Sequence, residues 1–326
     1  MSAALSATAT TKLRFENADV VVFDPVSTNR SASRGALATL GFRKVQTPYD
    51  PSALQQRMKG QTADLLLLEM RPDPAPILGI IQDIRQGRLG LNPFVIIIAT
   101  AWTLDDDIVK KVVQSGADDL MGRPFSIGFL GQRIRNLLDG RKGFVVTSDY
   151  VGPDRRRDPG RTSSAATFTV PNSLKLKATG GNDTIAIETE IASQVARSRD
   201  GVNAEKSRRN AFQMIIQARL TSAALDNAAP AEMITADLVK IETLAQETVT
   251  RTQNSEFSMA FQMCEPIVMA TQAARRGEEV AHHLKLIGQL ATTLYSTLCS
   301  GRSTEEIEYD VTQTVLMIQN RSVKAS

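Results

Sequence analysis

The chain has 326 residues, 42% hydrophobic and only 5% aromatic, with one tryptophan, two cysteines and a net charge of +3. That length suits two ordinary domains better than one compact core, and the shortage of aromatics calls for the aliphatic cores that α-rich proteins build. So small a charge gives no argument for polyanion binding by the molecule as a whole. It is unevenly spread, with 16 basic against 14 acidic residues in 1–140, 8 against 3 in 141–181, and 14 against 18 in 182–326.

Residues 1–17 open with an Ala/Ser/Thr-rich stretch and read as a disordered leader. From 18 to 140, short apolar runs alternate with amphipathic stretches, which predicts βαβ units and a parallel sheet. The predicted strands are 19–23, 44–47, 65–69, 94–99 and 119–121. The third is the most informative, because Leu65-Leu66-Leu67-Leu68 is apolar at every position and must be covered on both faces. Helix starts are marked by Asp50-Pro51, an N-cap followed by proline, and by Thr103-Leu104-Asp105-Asp106, a threonine cap with an acid three residues on. Asp105 to Asp107 are thereby explained as first-turn acids rather than metal ligands.

After Gly140 the alternation stops. Residues 144–147 suit one more short strand, and Tyr150 to Arg161 are rich in Pro, Gly and Arg, so 141–183 reads as a basic flexible linker with brief extended pieces at 166–170 and 174–178. Residues 184–326 are rich in helix formers and predict an all-α bundle of four to six segments that serves interaction or dimerisation. Its clearest seam is Val280, Leu284, Ile287, Ala291, Leu294 and Leu298, which serves a coiled-coil partner and an intrachain bundle equally well. Cys264 and Cys299 lack the spacing of a metal site or disulfide framework and are expected to be buried thiols. No stretch approaches the roughly 18 apolar residues of a membrane span. The expectation is a cytoplasmic protein with no membrane contact.

In an α/β sheet, ligands bind beyond the carboxyl ends of the strands. Those ends carry Asp24, Glu69, Ile98-Ala99-Thr100-Ala101 and, after Gly116-Ala117-Asp118-Asp119, Arg123-Pro124-Phe125. In order and spacing, this set resembles the CheY-like response-regulator receivers over residues 18–140. The resemblance implies a flavodoxin-like, five-stranded, doubly wound parallel sheet. It also implies an acid pair for Mg²⁺, an Asp that accepts a phosphoryl group, a hydroxyl and a Lys on the phosphate, and a switch aromatic in strand five.

Only Thr100 matches that pattern fully. The acid pair is reduced to Asp24 before Pro25, the acceptor is Glu69, the Lys is Arg123, and Leu120 stands at the switch position. Each departure weakens the same activity. One carboxylate fewer weakens Mg²⁺ binding, so Asp24 is a poor metal ligand. Glu69 moves its carboxylate out by about 1.5 Å, and misplacement by about 1 Å can cost on the order of 100-fold in a positioned reaction. Arg123 replaces a compact ammonium by a planar fork. The expectation is a degenerate phosphoacceptor site (Asp24, Glu69, Thr100, Arg123) without phosphorylation, enzymatic activity or cofactor, in which a Glu69–Arg123 ion pair holds one state. The alternative is an inherited salt bridge with no regulatory meaning.

Two further motifs lie beyond this set. Ala281-His282-His283-Leu284-Lys285-Leu286 is similar to part of the histidine-phosphotransfer signature, which would make His282 a phosphocarrier, but Leu286 stands where a small residue is needed. Arg155, Arg156 and Arg157 suit an acidic surface, a nucleotide or RNA, although nucleic acid is disfavoured without interleaved aromatics. The expected role is an adaptor in two-component signalling. Its partners would be other signalling proteins or a second copy of the chain, and it would dock through residues 105–138 and the C-terminal helices. The alternatives are an active phosphorelay component using Glu69 or His282, and nucleic-acid output through the linker.

Overall fold

The computed structural model describes residues 13–156, 167–253, 258–299 and 302–325, without the side chains of 258–261 and 321–325. The chain divides into two compact units, 1–199 and 200–326. In the first, β1 (Asp19–Phe23), α1 (Ser27–Thr39), β2 (Lys44–Gln46), α2 (Pro51–Met58), β3 (Leu65–Glu69), α3 (Ala75–Arg85), β4 (Ile96–Ala101), α4 (Asp106–Ser115), β5 (Asp119–Gly122) and α5 (Ile127–Asp139) follow in strict alternation. The strands pair in parallel in the order β2-β1-β3-β4-β5. This is the flavodoxin-like doubly wound order.

The period of two along each strand decides what each face buries. Leu65 and Leu67 of β3 join Val20, Val22, Ile96 and Ile98 under α1 and α5, where Leu37, Leu130 and Ile134 meet them. Leu66 and Leu68 join Val21, Ile97 and Ala99 under α2, α3 and α4, against Leu54, Ile80, Ile84 and Val112. With all four leucines at 1% exposure or less, burial at about 1.5–3 kcal/mol each makes β3 the axis of the unit. Asp50 caps α2 by accepting from the Ala53 amide, as expected. In α4 the cap is Asp105, which accepts from the Ile108 amide, rather than Thr103; a carboxylate two residues later takes the role.

The stretch from 141 to 183, expected as a flexible linker, is folded over its described residues. β6 (Phe144–Val146), β7 (Val151–Pro153) and β8 (Thr167–Phe168) form a second, antiparallel sheet in the order β7-β6-β8. Residues 174–178, read as extended, lie in α6 (Ser173–Thr179), which Asn172 caps and whose Leu174 and Ala178 enter the α1/α5-side core. Buried ion pairs fasten the segment. Lys177 contacts Asp64 at 2.9 Å, Asp19 at 3.1 Å and Glu188 at 2.8 Å, while Arg141 reaches Asp118 at 2.9 Å.

Burial would lower the Lys177 amine, but the three carboxylates outweigh it and hold the amine above its ordinary range. Backbones also meet closely here. Gly116 ends α4 at φ +92°, and a Cβ there would lie 2.7 Å from the Val151 carbonyl. Residues expected in the leader are likewise placed. Residues 13–17 are described, with Phe15 stacked on Phe42 at 4.4 Å and the Arg14 amide donating to the Ala178 carbonyl at 2.9 Å. The disorder expected of residues 1–12 and the role expected of Arg157, within 157–166, lie outside the described residues.

The second unit continues from α7 (Thr184–Asp226), within which the division falls, through α8 (Ala231–Thr252), α9 (Ser258–Arg275), α10 (Val280–Leu298) and α11 (Thr304–Ala325). Leu284, Ile287, Ala291, Leu294 and Leu298 are buried in its core and Val280 packs on them, so the seam serves the chain's own bundle. Cys264 is buried and its thiol is pushed up to about 12 by that burial. Cys299 is only half-buried, a departure from expectation that follows from its place just past the end of α10.

Candidate functional site

Parallel strands deliver their last residues to one edge, and the loops there bring four predicted residues together. Glu69 ends β3 and lies in register with Thr100 of β4. Asp24 directly follows β1, and Arg123 directly follows β5, its amide fixed to the Ala101 carbonyl at 2.8 Å. The Arg123 guanidinium sits between the two acids. Its Nε donates to Glu69 Oε2 at 2.6 Å and its Nη2 lies 3.2 Å from Asp24 Oδ2. Thr100 Oγ1 donates to the same Glu69 oxygen at 2.8 Å.

Two partners were not foreseen. Ser33 of α1 accepts from Arg123 Nη2 at 3.2 Å, and the Phe125 ring lies 4.9 Å from the guanidinium carbon. Phe125 stood in the quoted Arg123-Pro124-Phe125 run. Ser33, a small polar residue in the second turn of a helix, carries no comparable signal in the sequence.

The site is dry. The side chains of Asp24, Glu69 and Arg123 are 0%, 1% and 7% exposed. Burial raises the Glu69 carboxyl above its ordinary range; the bond from Thr100 and the charge of Arg123 oppose that rise, and the Asp24 charge adds to it. Asp24 Oδ1 accepts from the Val26 amide at 2.9 Å. Glu69 Oε1 and Asp24 Oδ2 are buried without a hydrogen bond among the described residues, the latter meeting Arg123 only as an ion pair.

These residues do not fit Mg²⁺. That ion needs oxygens and retained waters in an octahedral shell. A dication at Asp24 Oδ2 would share this oxygen with a guanidinium already 3.2 Å away, and charge repulsion opposes it. Among the described residues no group of three or more His, Cys, Asp or Glu side chains is placed to hold a metal. Leu120, at the switch position, is half-buried and packs against the α2/α3/α4-side core. Near this edge, Trp102, Leu104, Val109, Ile127 and Phe129 are exposed apolar side chains of the predicted docking stretch or its approach.

The remaining candidates are placed apart from this cluster. Asp105 is a cap and Asp107 pairs with Lys111 at 2.6 Å, so the aspartate run is accounted for structurally. Arg155 donates to the Ala117 and Asp118 carbonyls at 2.7 Å, and Arg156 binds Asp154 and Thr167. The two described arginines of the basic stretch thus hold the N-terminal unit's own backbone and side chains, which corrects the reading of a free basic linker. His282 is exposed on the first turn of α10, with Leu286 one turn further along. The His283 ring is anchored through Nδ1 to the Glu278 carbonyl at 2.8 Å.

Solved structures similar to part of this chain include response regulators. A response regulator from Thermotoga maritima is 22% identical, with 37% of this chain and 96% of that one covered and a TM-score of 0.33. A two-component response regulator from Clostridium difficile is 17% identical over 38% and 98%, with a TM-score of 0.34. A CheY-like receiver domain protein from Methanospirillum hungatei JF-1 is 15% identical over 37% and 94%, also at 0.34. The N-terminal sheet and its helices have the flavodoxin-like doubly wound order. No protein-family model matches the chain, and no curated protein matches it. The likeness covers 37–38% of this chain. Among the described residues no helix is long and apolar enough to cross a membrane.

Proposed function

We propose that this chain is a response regulator of two-component signalling whose receiver takes no phosphoryl group and which acts as an adaptor through protein contacts. One observation carries the reading. The Arg123 guanidinium neutralises Glu69 and Asp24 from within, at 2.6 and 3.2 Å, where an active receiver would need room for a metal and a phosphoryl group. Phosphoryl transfer depends on positioning and on neutralising developing charge, and an acceptor oxygen already bonded to Thr100 and Arg123 is a poor nucleophile. Glu69 Oε1 is the remaining oxygen, and it is buried.

The adaptor's contacts would come from the exposed apolar residues at the α4/α5 side of the receiver and from the helical unit, where Tyr309, Leu316 and Met317 are exposed on α11. Other signalling proteins or a second copy are the partners of this reading, which is non-enzymatic, cytoplasmic and free of cofactors. The exposure of His282 favours a second reading, an active phosphorelay component. Radiolabel transfer from a phosphohistidine donor separates the two. The adaptor reading expects no label on the chain, and label lost on Glu69→Ala or His282→Ala would replace it with the relay.

A further inference from the structure

Folding residues 141–156 against the amino-terminal end of β5 creates a cavity of about 200 Å³ at the pole opposite the Glu69 cluster. It is lined by Asp118, Asp119, Arg133, Asn136, Lys142 and Arg155, among others. The two acids are already engaged by cations. Asp118 takes Arg85 at 2.7 Å, Arg141 at 2.9 Å and the Ile97 amide at 2.8 Å, and Asp119 is held by both nitrogens of the Arg133 fork. The charged groups left over are donors. Arg155 Nε is buried with no hydrogen-bond partner among the described residues, although the same guanidinium is fixed through Nη2 to two carbonyls. Lys142 is exposed at the rim and makes no hydrogen bond or salt bridge to a described residue; it lies near Asp154, which Arg156 already engages.

We infer that this cavity binds a phosphate-sized oxyanion, with Arg155 and Lys142 as its charged donors. An oriented guanidinium backed by an ammonium is the combination that recognises tetrahedral oxyanions. A volume below the roughly 300–1,000 Å³ of pockets for drug-sized ligands points to the anion itself or a short phosphomonoester, not a dinucleotide. The site also gives a use to the basic excess of residues 141–181. Of those basic residues, Lys142 and Arg155 line the cavity.

The test is a titration of the full chain with inorganic phosphate at low ionic strength, followed by calorimetry and by backbone amide shifts. The expected result is saturable one-site binding, with shifts at 118–119, 136–142 and 153–155 and none at 24, 69, 100 or 123. Lys142→Glu, at an exposed position without described partners, should weaken binding about tenfold or more while leaving the thermal transition in place. Arg155→Lys keeps the charge, removes the fork and should weaken it as well. Absence of saturable binding, shifts confined to the Glu69 cluster, or undiminished affinity in Lys142→Glu would each overturn the assignment.

Discussion

Replacing Arg123 by glutamine removes the one cation between two buried acids, and its cost follows from the geometry. Breaking a buried pair from one side costs about 3–5 kcal/mol, because the partner charge stays behind without compensation. Coulomb's law gives a similar size, about 4 kcal/mol for charge centres ~4 Å apart at an effective dielectric of 20. Here two acids are left facing each other, and Glu69 can relieve the strain by taking up a proton, which burial already favours. The loss should therefore be about 3–5 kcal/mol near neutral pH and should shrink, on acidification, toward the ~1–2 kcal/mol of the missing hydrogen bonds.

Trp102 is the single tryptophan and lies in the N-terminal unit just past β4, so its fluorescence in urea follows this unit without interference from the helical one. A loss below about 1 kcal/mol at neutral pH, or one that grows on acidification, would refute the reasoning.

Other outcomes follow from the same structure. Because the folded Glu69 carboxyl is raised, its contribution to stability is fully present below the ordinary carboxylate range and is lost as pH rises through the folded value. Glu69→Gln should remove that decline, so stability curves of the two proteins across acid to neutral pH should converge at the acid end if the introduced amide packs alike, and parallel curves would be inconsistent with the burial argument. Gly116→Ala should destabilise the receiver by at least ~1–2 kcal/mol from its left-handed backbone alone, with the 2.7 Å approach to Val151 adding to it; an unchanged melting temperature would contradict the close contact. A chain ended at Gly140 loses Arg141 from Asp118, Lys177 from Asp64, and Leu174 from the core. It should melt well below one ended after α6 in a thermal scan, and equal stability would show that 141–183 adds nothing to the fold.

The sheet was legible because its signals are local. Four consecutive buried leucines, prolines and acids at helix starts, and Gly116 after α4 each report on their own few residues, and together they fix the strand order's ingredients. The site was legible through the ends of those strands, and the Glu69–Arg123 pair is found at 2.6 Å. The bridging of Asp24 by the same guanidinium was not, since it depends on where the ends of β1 and β5 leave their side chains in space. The segment 141–183 misled for a different reason. Its pieces at 144–147 and 166–170 were read and fall on β6 and β8, but β7 and α6 were missed, and its order comes from Arg141, Arg155 and Lys177 reaching acids and carbonyls far away in sequence. Arginines that tie down a fold look the same in a sequence as arginines waiting for a ligand.

The central claim is that Arg123 has taken the place of metal and phosphoryl group in the receiver. The most direct measurement is a titration of the full chain with acetyl phosphate, and with beryllofluoride as its unreactive analogue, in the presence and absence of Mg²⁺. Amide shifts at 24, 69, 100 and 123 and Trp102 fluorescence are the readouts. No saturable, Mg²⁺-dependent change at those positions is the result expected of a site closed by its own guanidinium. A saturable change that requires Mg²⁺ and vanishes in Glu69→Ala would contradict it.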